Sequence, residues 1–344
     1  MMNSFERCMA AIRMEETDRI ATDLHNFQIC AEYSQETYAR FVLDPERMAE
    51  MHIKMQQEFG HDLILVENGT ASLAEAMGCT VIYRDENSPV AHKPALKALK
   101  DAKDIIISEE MLEKPLVKAN LETVRILRER LGNRVMIMGR GDQGPFSLAS
   151  QVYGMDRLLT DLLDEECEED IHCLLEKCTE ADILYCNALL DAGAHITSLG
   201  DSTAGPGVLS PAMYEEFALP YEKKAADRVH ERGGLISLHI CGNATRIIDK
   251  MVLTGADILE IDQETDIVTA YKAAKGQCAL LGQISPVTLM NEDRERAASE
   301  TKSMLEKVGG SKARGIILGP GCALGGNTPF ENIKAMLNQA QAYS

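Results

Sequence analysis

The sequence has no long hydrophobic run, few basic residues and no low-complexity tract. No apolar stretch approaches the ~18 residues of a membrane-spanning helix, and residues 1–7 lead into a charged amphipathic segment rather than a signal peptide. The 344 residues include 35 Lys and Arg against 54 Asp and Glu, and the net charge of -19 opposes binding to nucleic acid or to an anionic membrane. We therefore expect a cytoplasmic protein that has neither nucleic acid nor a membrane as its partner.

The ten cysteines lack the paired spacing of a disulfide framework, and in a chain of this length they are typical of reduced intracellular thiols. No internal repeat or flexible linker divides the sequence. Because α/β barrels reach ~250 residues or more as one unit, we expect a single barrel domain over residues 1–344.

Short apolar runs alternate with long amphipathic segments along the chain. This alternation predicts an α/β protein, since each return to a parallel strand needs a helical crossover. Eight runs have strand character: 19–24, 62–67, 134–139, 195–199, 235–241, 257–262, 278–284 and 315–318. Eight strands that alternate with helices predict a (βα)8 TIM barrel.

Two features are expected outside the minimal barrel. One is an N-terminal helix over residues 4–14, and the other is an elaborated segment over 68–133, between the second and third strands. Residues 79–84 in that segment have β character and predict a small ribbon. Long helices are expected over 211–232, 243–254 and 288–308, and a last helix over 330–342 that Thr328 caps and Pro329 begins.

The pattern most informative about function is a pair of candidate metal ligands, His239 and Cys241, at the end of one apolar run, with Cys322 after another. Alternate residues of a strand point the same way, so an imidazole and a thiolate can face one ion. Reacting groups in such barrels lie at the carboxyl ends of the strands. Three protein ligands with one open position are typical of catalytic zinc. The alternative is that three unligated side chains share the rim, because His and Cys are often simply buried.

Asp262, at the end of the sixth predicted strand, is the candidate for a fourth ligand, with Glu260 and Glu264 in reserve. Two thiolates already neutralise Zn²⁺, so a carboxylate would make the site net negative until a substrate displaced it. The alternative role for a carboxylate at a strand end is to cap the next helix.

Other polar and aromatic side chains follow strand ends and are candidates for the rim of the site. The candidates for catalysis, besides Asp262, are His25 and Asp201. The candidates for substrate contacts are Asn26, Phe27, Glu67, Asn68, Asp142, Gln143 and Phe146. For each of them alone, helix capping or loop hydrogen bonding is the alternative.

Residues 139–144 match the dinucleotide pattern G-x-G-x-x-G after a strand. Asp142 would repel a pyrophosphate there, and the run lies in the middle of the chain rather than in its first unit. We interpret it as a glycine-rich loop that lets a substrate or partner approach.

Three segments, HICGN at 239–243, GQISPV at 282–287 and GPGC at 319–322, resemble the uroporphyrinogen decarboxylase superfamily, and the similarity extends over the whole chain. More narrowly, the chain is similar to the corrinoid-dependent methyltransferase branch, whose His-x-Cys and distant Cys bind zinc. The resemblance implies a zinc-dependent transfer of a methyl group between a small molecule and the cobalt of a corrinoid (cobalamin) carried by a partner protein.

Two directions of transfer are open. Zinc would bind either the oxygen of a methyl ether, such as a methoxyaromatic, or an acceptor thiol that it keeps as thiolate. Aromatic residues near the rim, Phe27, Phe146 and Tyr153, favour the first direction, and the electron-rich ligand set favours the second.

Two departures from the superfamily weaken decarboxylation as an alternative. Decarboxylases carry an arginine-rich motif after the first strand, where residues 23–28 have no arginine, and their catalytic aspartate has no counterpart in 67–70. An acidic protein without these clamps is poorly suited to a polyanionic porphyrinogen. A non-catalytic barrel that binds a small molecule is the remaining alternative.

Overall fold

The computed structural model describes residues 1–342, in which the strands form one eight-stranded parallel sheet and one antiparallel hairpin. The strands are β1 Ala21–Thr22, β2 Leu63–Val66, β3 Thr80–Ile82, β4 Val90–Lys93, β5 Met136–Gln143, β6 Ile196–Gly200, β7 Ile236–Ile240, β8 Ile258–Ile261, β9 Ala279–Ile284 and β10 Ile316–Pro320. The order in the large sheet is β1-β10-β9-β8-β7-β6-β5-β2. A bridge between Asp23 and Leu63 joins the two edges, so the predicted TIM barrel is confirmed.

The helices cover the outside of this barrel and its amino end. They are α1 Ser4–Ile12, α2 Phe27–Ser34, α3 Tyr38–Phe41, α4 Pro45–Phe59, α5 Ser72–Ala76, α6 Pro115–Leu131, α7 Pro145–Tyr153, α8 Met155–Asp161, α9 Glu168–Asp191, α10 Pro211–Phe217, α11 Leu219–Glu231, α12 Ile248–Val252, α13 Ile267–Ala274, α14 Pro286–Asn291, α15 Arg294–Lys307 and α16 Phe330–Gln341. Short 3-10 helices lie at Leu99–Asp104, Glu109–Glu113, Glu165–Cys167, Ser202–Ala204, Ala244–Arg246 and Gly310–Lys312. Within residues 1–342, no helix combines the length and the apolar composition needed to cross a bilayer.

The barrel strands are apolar on both faces because helices cover one face and the barrel interior lies on the other. In β2, Leu63 and Leu65 pack in the interior cluster, whereas Ile64 and Val66 pack in the outer core against the helices. This alternation is the two-residue period of a strand.

Helix α1 closes the amino end of the barrel. Its buried residues Cys8, Ala11 and Ile12 belong to the same cluster as the interior side chains of the strands. Arg7 on this helix reaches the buried carboxylate of Asp62, with an Nη1 to Oδ1 distance of 2.6 Å. The N-terminal helix is therefore confirmed, and its packing leaves the carboxyl ends of the strands as the open end of the barrel.

The elaborated segment between β2 and β5 contains the expected ribbon. Strands β3 and β4 pair antiparallel, and helices α5 and α6 flank the ribbon along the chain. Strand β5, the next barrel strand, runs to Gln143, four residues beyond its predicted end.

The prediction of a glycine-rich loop at residues 139–144 was wrong, because most of this run is the end of β5. A Cβ on Gly139 would lie 2.9 Å from the Leu189 side chain, and one on Gly141 would lie 2.6 Å from the Cys186 sulfur. These glycines let helix α9 pack closely against the strand, which is a structural reason for the motif.

Several helix predictions need correction. The expected helix over 211–232 breaks at Ala218, since Pro220 has no N–H to continue the ladder. Residues 243–254 hold only the short α12 after a 3-10 helix, whose first turn the Asn243 side chain caps. Residues 288–308 divide into α14 and α15 because Asp293 caps a new helix. Thr328 does not cap α16, since its hydroxyl donates to the carbonyl of Gly325.

Candidate functional site

Three potential metal ligands meet at the open end of the barrel. His239 lies near the end of β7 and Cys241 directly follows that strand, while Cys322 follows β10. Gly321 permits the approach of the last loop, because a Cβ there would lie 2.5 Å from the main-chain nitrogen of Gln263. This approach brings Cys241 and Cys322 together, although they are 81 positions apart in the chain.

The three side chains form a compact group, which we call the His-Cys-Cys cluster. The Nε2 atom of His239 lies 3.0 Å from the sulfur of Cys241, and the sulfurs of Cys241 and Cys322 are 4.0 Å apart. All three donor atoms lie within 4.8 Å of one another. Tetrahedral zinc holds sulfur and nitrogen ligands roughly 3.5–3.8 Å apart. The two measured distances lie on either side of this range, so side-chain movements of about half an ångström would let the three donors share one ion.

The orientation of the imidazole also fits a metal ligand. The Nδ1 atom of His239 lies 3.1 Å from the main-chain oxygen of Glu260, so a proton on Nδ1 is donated to that carbonyl. Nε2 is left as the nitrogen that faces the sulfurs. Metal-binding histidines usually have such a partner on the other ring nitrogen, which fixes the tautomer.

The two thiols of the cluster share protons unequally. Contacts with Cys322 first, and then with His239, hold the pKa of Cys241 below its usual range, while the contact with Cys241 raises the pKa of Cys322. The hydroxyl of Ser202 lies 3.2 Å from the Cys241 sulfur and is a further partner for a thiolate. A sulfur that is already stabilised as thiolate is suited to bind a soft or borderline cation.

The predicted fourth ligand does not join the cluster. The donor atoms that gather within 4.8 Å in residues 1–342 do not include the carboxylate of Asp262, whose Oδ1 accepts the N–H of Glu264 at 3.0 Å. Of the two reserve ligands, Glu260 is ion-paired with Arg140, and Glu264 lines a cavity beside the cluster. The His-Cys-Cys cluster therefore brings together three donors without a carboxylate.

A cavity of about 270 Å³, the small chamber, opens onto the cluster and is lined by all three donors. Four of the predicted rim residues also line it: His25, Phe27, Glu67 and Gln143. The imidazole Nε2 of His25 lies 3.1 Å from Oε1 of Glu67. These four side chains are placed to contact a molecule that reaches the cluster.

Two predicted carboxylates cap helices instead of lining the chamber. Asp201 is fully buried and accepts the N–H groups of Phe146 and Ser147 at the start of α7. Asp142 accepts the N–H of Leu73 in α5 at 2.6 Å. Burial raises the pKa of Asp142 to about 7 and also raises that of Asp201. Both residues therefore have the alternative role considered for polar residues at strand ends, which is to cap a helix.

Four other residues predicted to lie near the substrate are instead held in contacts within the protein or are buried away from the chamber. The Asn68 amide donates to the carbonyl of Leu116 at 2.8 Å and ties the loop after β2 to the first turn of α6. Asn26 and Phe146 are buried and do not line the chamber. Tyr153 is also buried, and its hydroxyl donates to Asp161. The expected aromatic pocket is therefore not formed, since of the three aromatic residues only Phe27 lines the chamber.

Arg140 is a chamber residue that sequence reasoning missed. Its guanidinium forms a buried ion pair with Glu260, at 2.9 Å, and Nε lies 3.7 Å from Glu67. Burial alone raises the pKa of Glu260, but Arg140 and the nearby histidines outweigh it and lower that pKa to about 2. The available signal was an arginine in the largely apolar strand β5, because a buried charge needs a partner.

A larger polar cavity of about 850 Å³ lies beside the small chamber. The two share Cys241 and Ser202, and Gly205, Gly207 and Gly242 line the larger one. The cluster therefore lies between a small chamber and a wide opening.

Similarity to known proteins identifies the family to which this barrel belongs. The family model of uroporphyrinogen decarboxylase (URO-D) matches residues 3–343, and the chain belongs to this family. It is a homologue of methylcobamide:CoM methyltransferases, which transfer one-carbon groups. MtbA of Methanosarcina acetivorans is 29% identical over 347 residues, with 98% of this chain and 97% of the relative covered. MtaA of Methanosarcina barkeri is 30% identical over 310 residues, with 87% and 85% covered.

Decarboxylases and a solved methyltransferase are also similar to this chain. The uroporphyrinogen decarboxylase of Geotalea daltonii is 28% identical over 289 residues, which cover 83% of this chain and 82% of the relative. The structure of a methyltransferase from Methanosarcina mazei superposes with a TM-score of 0.88 at 24% identity, covering 100% of this chain and 99% of that one. This likeness establishes the fold.

Proposed function

We propose that the protein binds zinc through His239, Cys241 and Cys322 and transfers a methyl group from the cobalt of a corrinoid, carried by a partner protein, to the sulfur of a small thiol. The observation that carries the proposal is the convergence of these three donors at the mouth of the barrel. The names of the MtbA and MtaA relatives support the reaction class.

The residues of the cluster fit this role. Bound there, zinc would supply the Lewis acidity that keeps an acceptor thiol as thiolate at neutral pH. The main-chain carbonyl of Glu260 orients the imidazole, and the hydroxyl of Ser202 contacts the sulfur of Cys241. His239 lies in the buried strand β7, and Cys241 and Cys322 follow buried strands within two residues, so the donors are preorganised.

The transfer balances without a further reactant. Methyl-cobalt(III) and a thiol give a methyl thioether, cobalt(I) and one proton. A sulfur lone pair forms the new C–S bond, and both electrons of the broken C–Co bond remain on cobalt. The contact between His25 and Glu67 in the chamber offers a place for the released proton.

The sizes of the two cavities favour binding of the two reactants in different cavities. The small chamber, at about 270 Å³, is below the ~300–1,000 Å³ of pockets for drug-sized ligands, so it suits a compact molecule. The larger cavity reaches Cys241 from the side and gives a macrocycle room to approach. We therefore assign the thiol to the small chamber and the corrinoid to the wide opening.

Two alternatives have less support from the site. Demethylation of a methoxyaromatic would use an aromatic pocket, but Phe146 and Tyr153 do not line the chamber. Porphyrinogen decarboxylation would use free arginines for the carboxylates, but the arginine that lines the small chamber, Arg140, is ion-paired with Glu260.

The test is an anaerobic assay of methylcobalamin with small thiols, using protein purified without added metal. We expect about one zinc per chain by elemental analysis, loss of the methylcobalamin spectrum that depends on thiol and protein, and the methyl thioether by mass spectrometry. Zinc-loaded protein that leaves methylcobalamin intact with every thiol would contradict the proposal. Consumption of a porphyrinogen without metal would favour decarboxylation.

A further inference from the structure

The charges around the small chamber restrict which thiol it accepts. Arg140 is the single lysine or arginine among the described residues that line the chamber. Its Nη2 donates to Glu260 at 2.9 Å, and its Nη1 donates to Ser198 at 2.5 Å. Its Nε lies 3.7 Å from Glu67. Each nitrogen of the guanidinium therefore already faces a protein oxygen.

The ion pair is neutral and is buried with its partners. The side chains of Arg140 and Glu260 are 6% and 3% exposed, and the hydroxyls of Ser198 and Ser237 donate to Glu260 as well. Taking Arg140 from this network to bind a ligand anion would leave a buried carboxylate unpaired, which is costly. Arg140 is thus a fixed part of the wall and not a clamp for an anion.

Glu67 is the charged group that remains available to a ligand. Its side chain is 12% exposed and borders the chamber. A carboxylate accepts about four hydrogen bonds, and the described contacts of Glu67 are those with His25 and Arg140. Burial raises its pKa, but His25 and Arg140 outweigh burial and lower that pKa. Glu67 is therefore an ionised acceptor that faces the chamber.

The total charge of the chamber wall is zero or negative. Arg140 cancels Glu260, Glu67 adds one negative charge, and His25 adds at most one positive charge. A zinc ion would cancel two thiolates of the cluster. An anionic end group on the substrate would therefore lose its hydration and find no free cation, whereas a hydrogen-bond donor or a cation would find Glu67.

We propose that Glu67 selects the acceptor thiol, and that the chamber takes a small thiol whose far end is a cation or a neutral hydrogen-bond donor and rejects one that ends in a sulfonate, carboxylate or phosphate. This inference rests on the proposed function, because it concerns the molecule that enters beside the cluster. It names Glu67 as a residue that contacts the substrate and determines specificity.

The experiment compares three thiols with the same two-carbon chain: cysteamine, 2-mercaptoethanol and 2-mercaptoethanesulfonate. Their dissociation constants are measured by calorimetry with the purified protein and, after Co²⁺ replaces the metal, from the sulfur-to-cobalt absorption band. We expect the sulfonate to bind at least about tenfold more weakly than either of the others, since like charges a few ångströms apart repel strongly. Equal or tighter binding of the sulfonate overturns the inference, and so does failure of all three to bind.

A substitution separates the effect of Glu67 from the different acidities of the thiols. In Glu67→Gln, we expect the discrimination between cysteamine and the sulfonate to fall about tenfold or more relative to the parent. The matched control is Glu129→Gln, an exposed residue of α6, in which the order of the three thiols should not change. Circular dichroism and metal content check that both variants are folded, and an unchanged ratio in folded Glu67→Gln contradicts the inference.

Failure of this inference differs from failure of the proposed function. A protein that takes up neither zinc nor cobalt counts against the metal site, while calorimetry on the same protein still measures the order of the three ligands. A protein that demethylates methylcobalamin best with the sulfonate supports the proposed function and rejects the role of Glu67.

Discussion

The Nδ1 atom of His239 lies 3.1 Å from the main-chain oxygen of Glu260, so strand β8 orients the imidazole that strand β7 carries. The two residues are register partners in the parallel sheet. Because this contact uses the main chain, it does not depend on the carboxylate of Glu260, which has its own buried partner in Arg140. The main chain of Glu260 therefore orients the proposed metal ligand, while its side chain neutralises Arg140 in the chamber wall.

Removal of a cluster residue is expected to remove zinc. His239→Ala and Cys322→Ser each delete a proposed ligand, and loss of outer contacts alone costs about 10–100-fold in metal affinity, so we expect more than about 100-fold here. Zinc content after dialysis and methyl transfer should fall together. Cys173→Ser, at a cysteine outside the cluster, is the control and should keep both. Full zinc content in the two ligand variants would show that the metal binds elsewhere.

Glu260→Gln is expected to destabilise the fold while the zinc is retained. The substitution leaves the charge of Arg140 buried without its partner, for which we expect a loss of about 3 kcal/mol in the free energy of unfolding. Denaturation by urea gives the stability, and elemental analysis gives the metal. The control is Glu231→Gln, in an exposed pair with Arg228, where a change of less than about 1 kcal/mol is expected. Equal stabilities of the two variants would contradict this prediction.

Gly321→Ala is expected to weaken zinc binding through the main chain. A Cβ at Gly321 would lie 2.5 Å from the nitrogen of Gln263, so the loop that carries Cys322 has to shift. We expect zinc affinity to fall by about tenfold or more, as it does when support around a ligand is lost. Gly207→Ala is the matched control, because a Cβ there meets nothing within 4 Å. Competition with a chelator measures both affinities, and equal values would refute the steric argument.

The barrel and the three cluster residues could be predicted because their signals are local. Each barrel strand is a short buried run. His239 lies near a strand end, and Cys241 and Cys322 follow strand ends, which can be read directly from the sequence. Parallel strands place those ends on one rim, so the prediction of proximity needs no knowledge of side-chain contacts. Geometry confirms that proximity, and metal binding stays a prediction.

The rest of the site depends on contacts between distant residues. Arg140 and Glu260 are 120 positions apart, and nothing local indicates that they pair. A carboxylate after a strand can contact a ligand or cap a helix, and for Asp201 the choice depends on the position of α7 beside it. By contrast, Pro220 is a local signal from which the break between α10 and α11 could have been predicted.

The buried carboxyl of Asp182 in α9 is expected to make stability fall as the pH rises. Both of its oxygens are buried without a hydrogen-bond partner in the described structure, and burial, with Asp201 and Asp142 nearby, holds its pKa well above the ordinary value. A folded-state pKa above the unfolded value of ~3.9 means that the folded protein binds more protons in this range. The stability is therefore present below about pH 4 and is lost progressively above it.

Asp182→Asn should remove this dependence. We expect the variant to gain stability relative to the parent as the pH rises from about 4 towards neutrality, by up to about 1.4 kcal/mol per pH unit, with little difference near pH 4. Urea denaturation of both proteins across this range measures the gap. Asp191→Asn, on the same helix in an exposed pair with Arg232, is the control and should leave the slope unchanged. A constant gap between Asp182→Asn and the parent would mean that Asp182 is ionised in the folded protein, because only a carboxyl that stays protonated on folding makes the gap widen with pH.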